Sequence, residues 1–328
     1  MTVIDFRSAV RQALDEELRR DERVIVFGED VAEAGGVWAT TPGLKDAHGR
    51  ERVFDTPISE LAMTGAAFGA AVCGKRPVVE IMFGDFLGLS MDSLVNQAAK
   101  WWYVSNGQAS VPLVIRCAVG AGLQFGAVHS QTPIPWFLGV PGIKIVCPST
   151  PNDARALLKS AIRDDNPVLY LEHKRLYGSR GEVDDVEVPI GEAKTLRQGS
   201  DVTLVSVMQG VHDCLAAAED LAREGIEAEV IDLRTVRPMD VEQVAASVAR
   251  TNRLVAVDEG PKTGGWPAEL IASITEVAWG ELESITRVTA ADTPIPYAPS
   301  LEGGHLPSKD LIVLQVRATV VGDRVVPA

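Results

Sequence analysis

At 328 residues the chain is long enough for two domains with separate cores, and its 46% hydrophobic and 23% charged residues exclude a disordered or fibrous protein. The formal net charge of -14 argues against a nucleic-acid partner, and no apolar run approaches membrane-spanning length. From the N-terminus, apolar spacing predicts a helix over residues 5–20 rather than a signal or transit peptide, followed by a strand over 23–30. Further strands are predicted at 77–83, 111–119, 143–147 and 167–172, with helices at 60–72, 91–103 and 151–163. Valine- and isoleucine-rich strands that alternate with helices imply a parallel sheet covered on both faces. Residues 178–200 turn polar, acidic and glycine-containing, which reads as a linker with an edge strand. A second α/β pattern follows, with strands at 201–207, 228–233, 254–259 and 285–290 and helices at 212–224, 241–250 and 266–279. From Asp292 the chain is rich in proline and glycine before an apolar run at 311–316. The fold class is therefore α/β, two doubly wound domains, divided as 1–185 and 186–328.

Four cysteines, Cys73, Cys117, Cys147 and Cys214, stand far apart without a CxxC pair. That spacing suits reduced thiols in a cytoplasmic protein better than a disulfide frame or a zinc site.

The run RVFDTPISE, Arg52 to Glu60, passes from a short strand pattern through an Asp-Thr-Pro break into a carboxylate. Glu60 then heads a helix of small and apolar residues, where a charge is costly to bury without a group that needs it. A first-turn acid that favours the helix dipole is the ordinary explanation, and proton chemistry is the other. Gly120, Gly122 and Gly126 make a GxGxxxG run after a strand, but it leads into proline-broken sequence rather than a helix. A dinucleotide site is therefore not expected there.

The DTP-hydrophobic-x-E run resembles the thiamine-diphosphate-binding beta subunit of 2-oxoacid dehydrogenase complexes. The resemblance extends through GEDV at Gly28, Gly35-Gly36, RPVVEIMFGDF at Arg76, NQAAK at Asn96, HSQ at His129, PGIKIVCPSTPNDA at Pro141, AIRDDNPV at Ala161 and EVIDLRT at Glu229. It implies a pyrimidine-type domain followed by a transketolase C-terminal-type domain. It also implies that Glu60 meets the aminopyrimidine ring as a proton relay, that Phe86 stacks on that ring, and that Ile58 and Met82 line the pocket. Without the resemblance, core packing accounts for these apolar residues.

By the same resemblance His129 is an active-site group, suited to proton donation when an acyl group passes to a lipoyl disulfide. Pro133 and Pro135 follow it, and they are expected to stop a helix from starting there. Leu113, Ala161, Ile162, Asp164 and Asn166 match a monovalent-cation site, usually potassium; a capped helix end accounts for them equally well. Thiamine enzymes hold the diphosphate through Mg²⁺ with a GDG run and a later Asn, whereas this chain has Gly84-Asp85-Phe86. The other half of the cofactor site is therefore expected on an alpha subunit in an alpha-two beta-two heterotetramer, with a lipoyl acyltransferase as the further partner. Pyruvate, branched-chain 2-oxoacids and acetoin all fit. The rivals are a single-chain transketolase, which needs GDG, a scaffold subunit that has lost its chemistry, and the NAD oxidoreductase disfavoured above.

Overall fold

The computed structural model describes residues 2–321. Its residues group into two compact units, 1–120 with 136–190, and 121–135 with 191–328. The segment 121–135, inside the first sequence-derived domain, thus groups with the second unit.

In the first unit, β1 (Thr2–Asp5) leads into α1 (Phe6–Arg20), β2 (Val24–Gly28), α2 (Leu44–His48) and β3 (Val53–Asp55). Then come α3 (Glu60–Val72), β4 (Arg76–Ile81), α4 (Ala99–Val104), β5 (Val114–Val119) and α5 (Ile134–Leu138), the last reaching in from the 121–135 segment. The unit closes with β6 (Lys144–Val146), α6 (Pro151–Arg163), β7 (Val168–His173) and β8 (Arg180–Val183). The parallel strands of this unit lie in the order β3-β2-β4-β5-β7-β6. The chain leaves β2 for β3 on one side and crosses back to β4 on the other. The carboxyl ends of β2 and β4 therefore flank the switch point where open α/β sheets bind ligands.

Local chemistry fixes the helix ends. Thr150 caps α6 by accepting from the Asp153 N–H at 3.1 Å, and Pro151 sits in the first turn, where its missing N–H costs nothing. Asp5 caps α1 through the Ser8 N–H at 2.8 Å. Arg155 and Arg163 of α6 reach Glu16 and Glu17 of α1, each pair at 2.7 Å.

Three expectations need correcting. The helix predicted at 91–103 is a π-helical turn (Asp92–Ala98) followed by α4, and a 3-10 helix (Gly84–Ser90) precedes it. Asp92 accepts from both Asn96 and Gln97, four and five residues on, which supports the wider register. Pro133 and Pro135 do not prevent a helix: α5 starts at Ile134 with Pro135 in its first turn, where proline is tolerated. The region 178–200 holds two strands, β8, antiparallel to β1, and β9 (Lys194–Arg197).

The second unit continues with β10 (Val202–Ser206), α7 (Gln209–Ala222), β11 (Ala228–Asp232), β12 (Thr235–Arg237), α8 (Val241–Thr251) and β13 (Arg253–Pro261). It ends with α9 (Trp266–Ala278), β14 (Ser284–Ala290), α10 (Pro299–His305) and α11 (Lys309–Val321). Its strand order is β14-β13-β10-β11-β9, parallel except for β9. Leu204, Val230 and Val255 from the strands, Cys214 and Leu221 from α7, and Ile312 and Val316 from α11 form its buried core. Both units are thus doubly wound. No described helix is long and apolar enough to cross a membrane.

Candidate active site

The first unit gathers its chemistry at the carboxyl ends of β2 and β4. Glu29 directly follows β2, and Met82, Phe83 and Phe86 follow β4. Glu60 is the first residue of α3, only 6% exposed, and its backbone carbonyl accepts from Thr64 at 2.8 Å and from Ser90 at 3.5 Å. The second contact ties the head of α3 to the turn that carries Phe86.

Among the described residues, no group donates a hydrogen bond to the Glu60 carboxylate. Glu29 is buried as well, and burial first, then the nearby Glu60 and Asp30 charges, pushes its carboxyl above the ordinary range. Glu29 and Glu60 thus bring two buried carboxyl groups to the same end of the sheet. Ile58, two residues before Glu60, is 83% exposed, which excludes core packing for it. Met82 and Phe86 are half-buried.

Aromatic rings surround Phe86. Phe83 meets it edge-on at 5.8 Å, Trp38 meets Phe83 at 5.9 Å and stacks on Tyr177 at 5.2 Å. The Lys174 ammonium lies 5.3 Å from the centre of the Phe83 ring, and the Trp38 indole donates to the Met82 carbonyl at 3.4 Å. Beneath, a charged network crosses three strands. Arg116 of β5 forks onto Glu172 of β7 and reaches Glu80 of β4, Thr40 donates to Glu80, and Tyr177 donates to Glu172.

His129 belongs to the second unit, half-buried in the 121–135 segment. Glu302 of α10 accepts from the N–H groups of Gly122 and Gln124, and Thr132 donates to Glu259 at 2.6 Å.

The five residues matched to a cation site lie in the first unit, at and near the end of α6. Arg76 donates to the carbonyls of Ile162 and Asp164, both at 3.0 Å, and pairs with Asp165; Lys144 pairs with the Asp164 carboxylate. The Leu113 and Ala161 carbonyls accept from Val168 and Asp164, and the Asn166 amide donates to Asp164. Each carbonyl has a second lone pair for a weak cation ligand, while the Arg76 guanidinium already supplies positive charge.

Sequence reasoning assigned no role to Glu29 or Trp38 and missed the Glu80–Arg116–Glu172 network. One signal was present: a charged residue, Glu80, Arg116 or Glu172, stands among apolar neighbours in each of the three strands β4, β5 and β7. For Glu29 the cue was its position just past an apolar strand.

Residues 2–180 match the family described as Transketolase, pyrimidine binding domain, and residues 191–312 match Transketolase, C-terminal domain. The chain is 44% identical to the beta subunit of acetoin:2,6-dichlorophenolindophenol oxidoreductase of Cupriavidus necator, over 98% of both chains. It is 45% identical to subunit beta of the mitochondrial pyruvate dehydrogenase E1 component of Dictyostelium discoideum, over 94% of this chain and 89% of that one. The bovine counterpart is 44% identical over 97% of this chain and 90% of the other. Among solved structures, a split-gene transketolase described as an inactive beta4 tetramer superposes with a TM-score of 0.81 at 24% identity, covering 98% of this chain and 100% of that chain. That likeness concerns the fold alone. The chain belongs to the beta subunits of thiamine-diphosphate-dependent 2-oxoacid dehydrogenases, of the pyruvate and acetoin dehydrogenase type.

Proposed function

We propose that the chain contributes the pyrimidine half of a thiamine-diphosphate site and works only with an alpha subunit, in an alpha-two beta-two heterotetramer. The observation that carries this reading is the Glu60 carboxylate, buried, without a donor among the described residues and beside Glu29. Its oxygens keep only a narrow opening to solvent, and a protonated pyrimidine nitrogen placed there would supply the hydrogen bond that the chain does not.

When bound, the cofactor supplies a nucleophilic thiazolium carbon and an electron sink for decarboxylation. Glu60 holds and returns a proton at the ring nitrogen, and Glu29 helps to keep that proton available. Phe86 stacks on the ring, and Ile58 and Met82 exclude water from it. His129 supplies a proton as the acyl group passes to lipoyl. Mg²⁺ and the diphosphate are assigned to the GDG run and Asn of the alpha subunit, because Gly84-Asp85-Phe86 lacks the second glycine. A potassium ion at Leu113, Ala161, Ile162, Asp164 and Asn166 would be structural and weakly held, given the Arg76 charge beside it.

The pyrimidine-type domain is assigned to 1–185 and the C-terminal-type domain to 186–328. The latter would dock a basic peripheral domain of the lipoyl acyltransferase, steered by the net charge of -14. Free cysteines, among them the exposed Cys73, support a cytoplasmic location. The reaction is oxidative decarboxylation of a 2-oxoacid with reductive acylation of lipoyl. Acetoin cleavage is the second reading, favoured by the Cupriavidus relative that matches nearly end to end.

Co-production with a GDG-bearing alpha subunit tests the assignment. The pair should turn over pyruvate, a branched-chain 2-oxoacid or acetoin, and the lone chain none of them. Tight binding of thiamine diphosphate by the lone chain in calorimetry would overturn the shared site.

A further inference from the structure

We infer that Glu302 is a positioning residue for His129, holding in place the glycine turn that carries it. The inference rests on the reading of His129 as the proton donor to the departing acyl group.

Glu302 lies on α10, far along the chain from the turn, and is 3% exposed. One carboxylate oxygen accepts the Gly122 N–H at 2.9 Å; the other accepts the Gln124 N–H at 3.1 Å. Gly122 and Gln124 both have left-handed backbone, with φ of 91° and 62°, so two N–H groups converge on one carboxylate. That concave donor geometry is one that binds anions, and here the chain's own acid fills it. Charge-assisted bonds of this kind are the strong ones, and they offset the cost of holding Gln124 in a left-handed conformation that favours glycine.

Two more contacts secure the same segment. Gly126 faces the Tyr297 ring so closely that a Cβ would lie 2.2–2.4 Å from its atoms. Beyond His129, Thr132 donates to Glu259 at 2.6 Å. His129 therefore stands between two anchored points, Gly126 and Thr132, with its own N–H on the Gly126 carbonyl at 3.4 Å. Of the anchors, only Glu302 acts through backbone N–H groups, which are present whatever side chains the turn bears. Removing it frees the approach to His129 while leaving the imidazole's chemistry unchanged.

The test uses the full chain assembled with its alpha subunit, carrying Glu302→Ala, Glu302→Gln, His129→Ala or the Glu302→Ala/His129→Ala pair. Acylation of a lipoyl domain is compared with reduction of 2,6-dichlorophenolindophenol, using whichever of pyruvate and acetoin the holoenzyme turns over. Misplacing a catalytic group costs up to about 10²-fold, so Glu302→Ala should lower lipoyl acylation by about that factor, with a loss in dye reduction at least about tenfold smaller. The pair should be no worse than His129→Ala, because the two residues act as one unit. Glu302→Gln, which keeps an acceptor oxygen, should recover most of the rate. Amide exchange read by mass spectrometry should quicken over 121–130 in Glu302→Ala. Additive losses in the pair, equal losses in both assays or unchanged exchange over 121–130 would each overturn the proposal. If His129→Ala leaves lipoyl acylation intact, the reading of His129 fails, and the exchange measurement still decides whether Glu302 holds the turn.

Discussion

Arg116 Nη1 stands 2.7 Å from Glu80 Oε2, while the same guanidinium grips both oxygens of Glu172 at 2.7 and 2.9 Å. All three side chains are buried, and burial pushes the Glu172 carboxyl upward against the pull of Arg116. One cation thus serves two acids on neighbouring strands beneath the aromatic cluster.

Removing that cation strands two buried acids. Arg116→Met is expected to cost about 3–5 kcal/mol, because an unpaired buried charge is far worse than no charge. Arg116→Lys should recover little of it, since an ammonium cannot reproduce the forked contact with Glu172. Urea denaturation of both variants checks this; near-wild-type stability for the lysine variant would show that charge alone suffices.

Glu60→Gln keeps size and polarity but cannot exchange a proton. With the alpha subunit present, turnover should fall by roughly 10²- to 10⁴-fold, the usual contribution of an acid–base group. Melting temperature should hold or rise, since a buried charge without a donor is removed. Hydrogen–deuterium exchange at the cofactor's thiazolium carbon provides the direct measurement, and normal exchange in a folded variant would take Glu60 out of the mechanism.

Asp258, at the carboxyl end of β13, offers a pH test. Burial pushes its carboxyl up to about 7, the Glu259 charge adds to that, and the Gly260 N–H and Trp266 indole oppose it. An acid that binds its proton more tightly in the folded state gives stability at low pH, which is lost as pH rises from 3.8 to about 7. Asp258→Asn should therefore show a flatter stability profile over that window. Identical slopes for both proteins in urea titrations at about pH 5 and about pH 8 would remove Asp258 as the cause.

Replacing potassium by choline probes the end of α6. At ten times its Kd a bound ion adds about 1.4 kcal/mol, a melting shift of a few degrees, and turnover at moderate temperature should be unchanged. Loss of turnover without a melting shift would make the ion catalytic. An absence of any response would leave Arg76 as the sole positive charge on those carbonyls.

Sequence reasoning succeeded where local chemistry was self-sufficient. α3 and α6 begin and end where predicted, α6 because Thr150, Pro151 and Asp153 spell out a helix start. It failed where a tertiary partner decides. β1 goes unpredicted ahead of the helix at 5–20, because the partner that makes it a strand, β8, lies some 180 residues away. The π-helical turn breaks the 3.6-residue period, and α11 reads from its sequence only as an apolar run, although Ser308 just ahead of it caps the helix by accepting the Leu311 N–H at 3.1 Å. Glu60 announced itself by a charge heading an apolar helix. Glu302 did not, because its two partners are backbone groups that every sequence supplies.

The pairing of Thr2 with Val183 and of Asp5 with Arg180 has a consequence for how such chains are joined and divided. The opening and closing strands of the first unit thus lie side by side, so a short linker there could join the unit to a longer chain without disturbing its sheet, with the excursion through 121–135 left as it is. Gene fusion and gene fission are therefore both structurally inexpensive for this architecture.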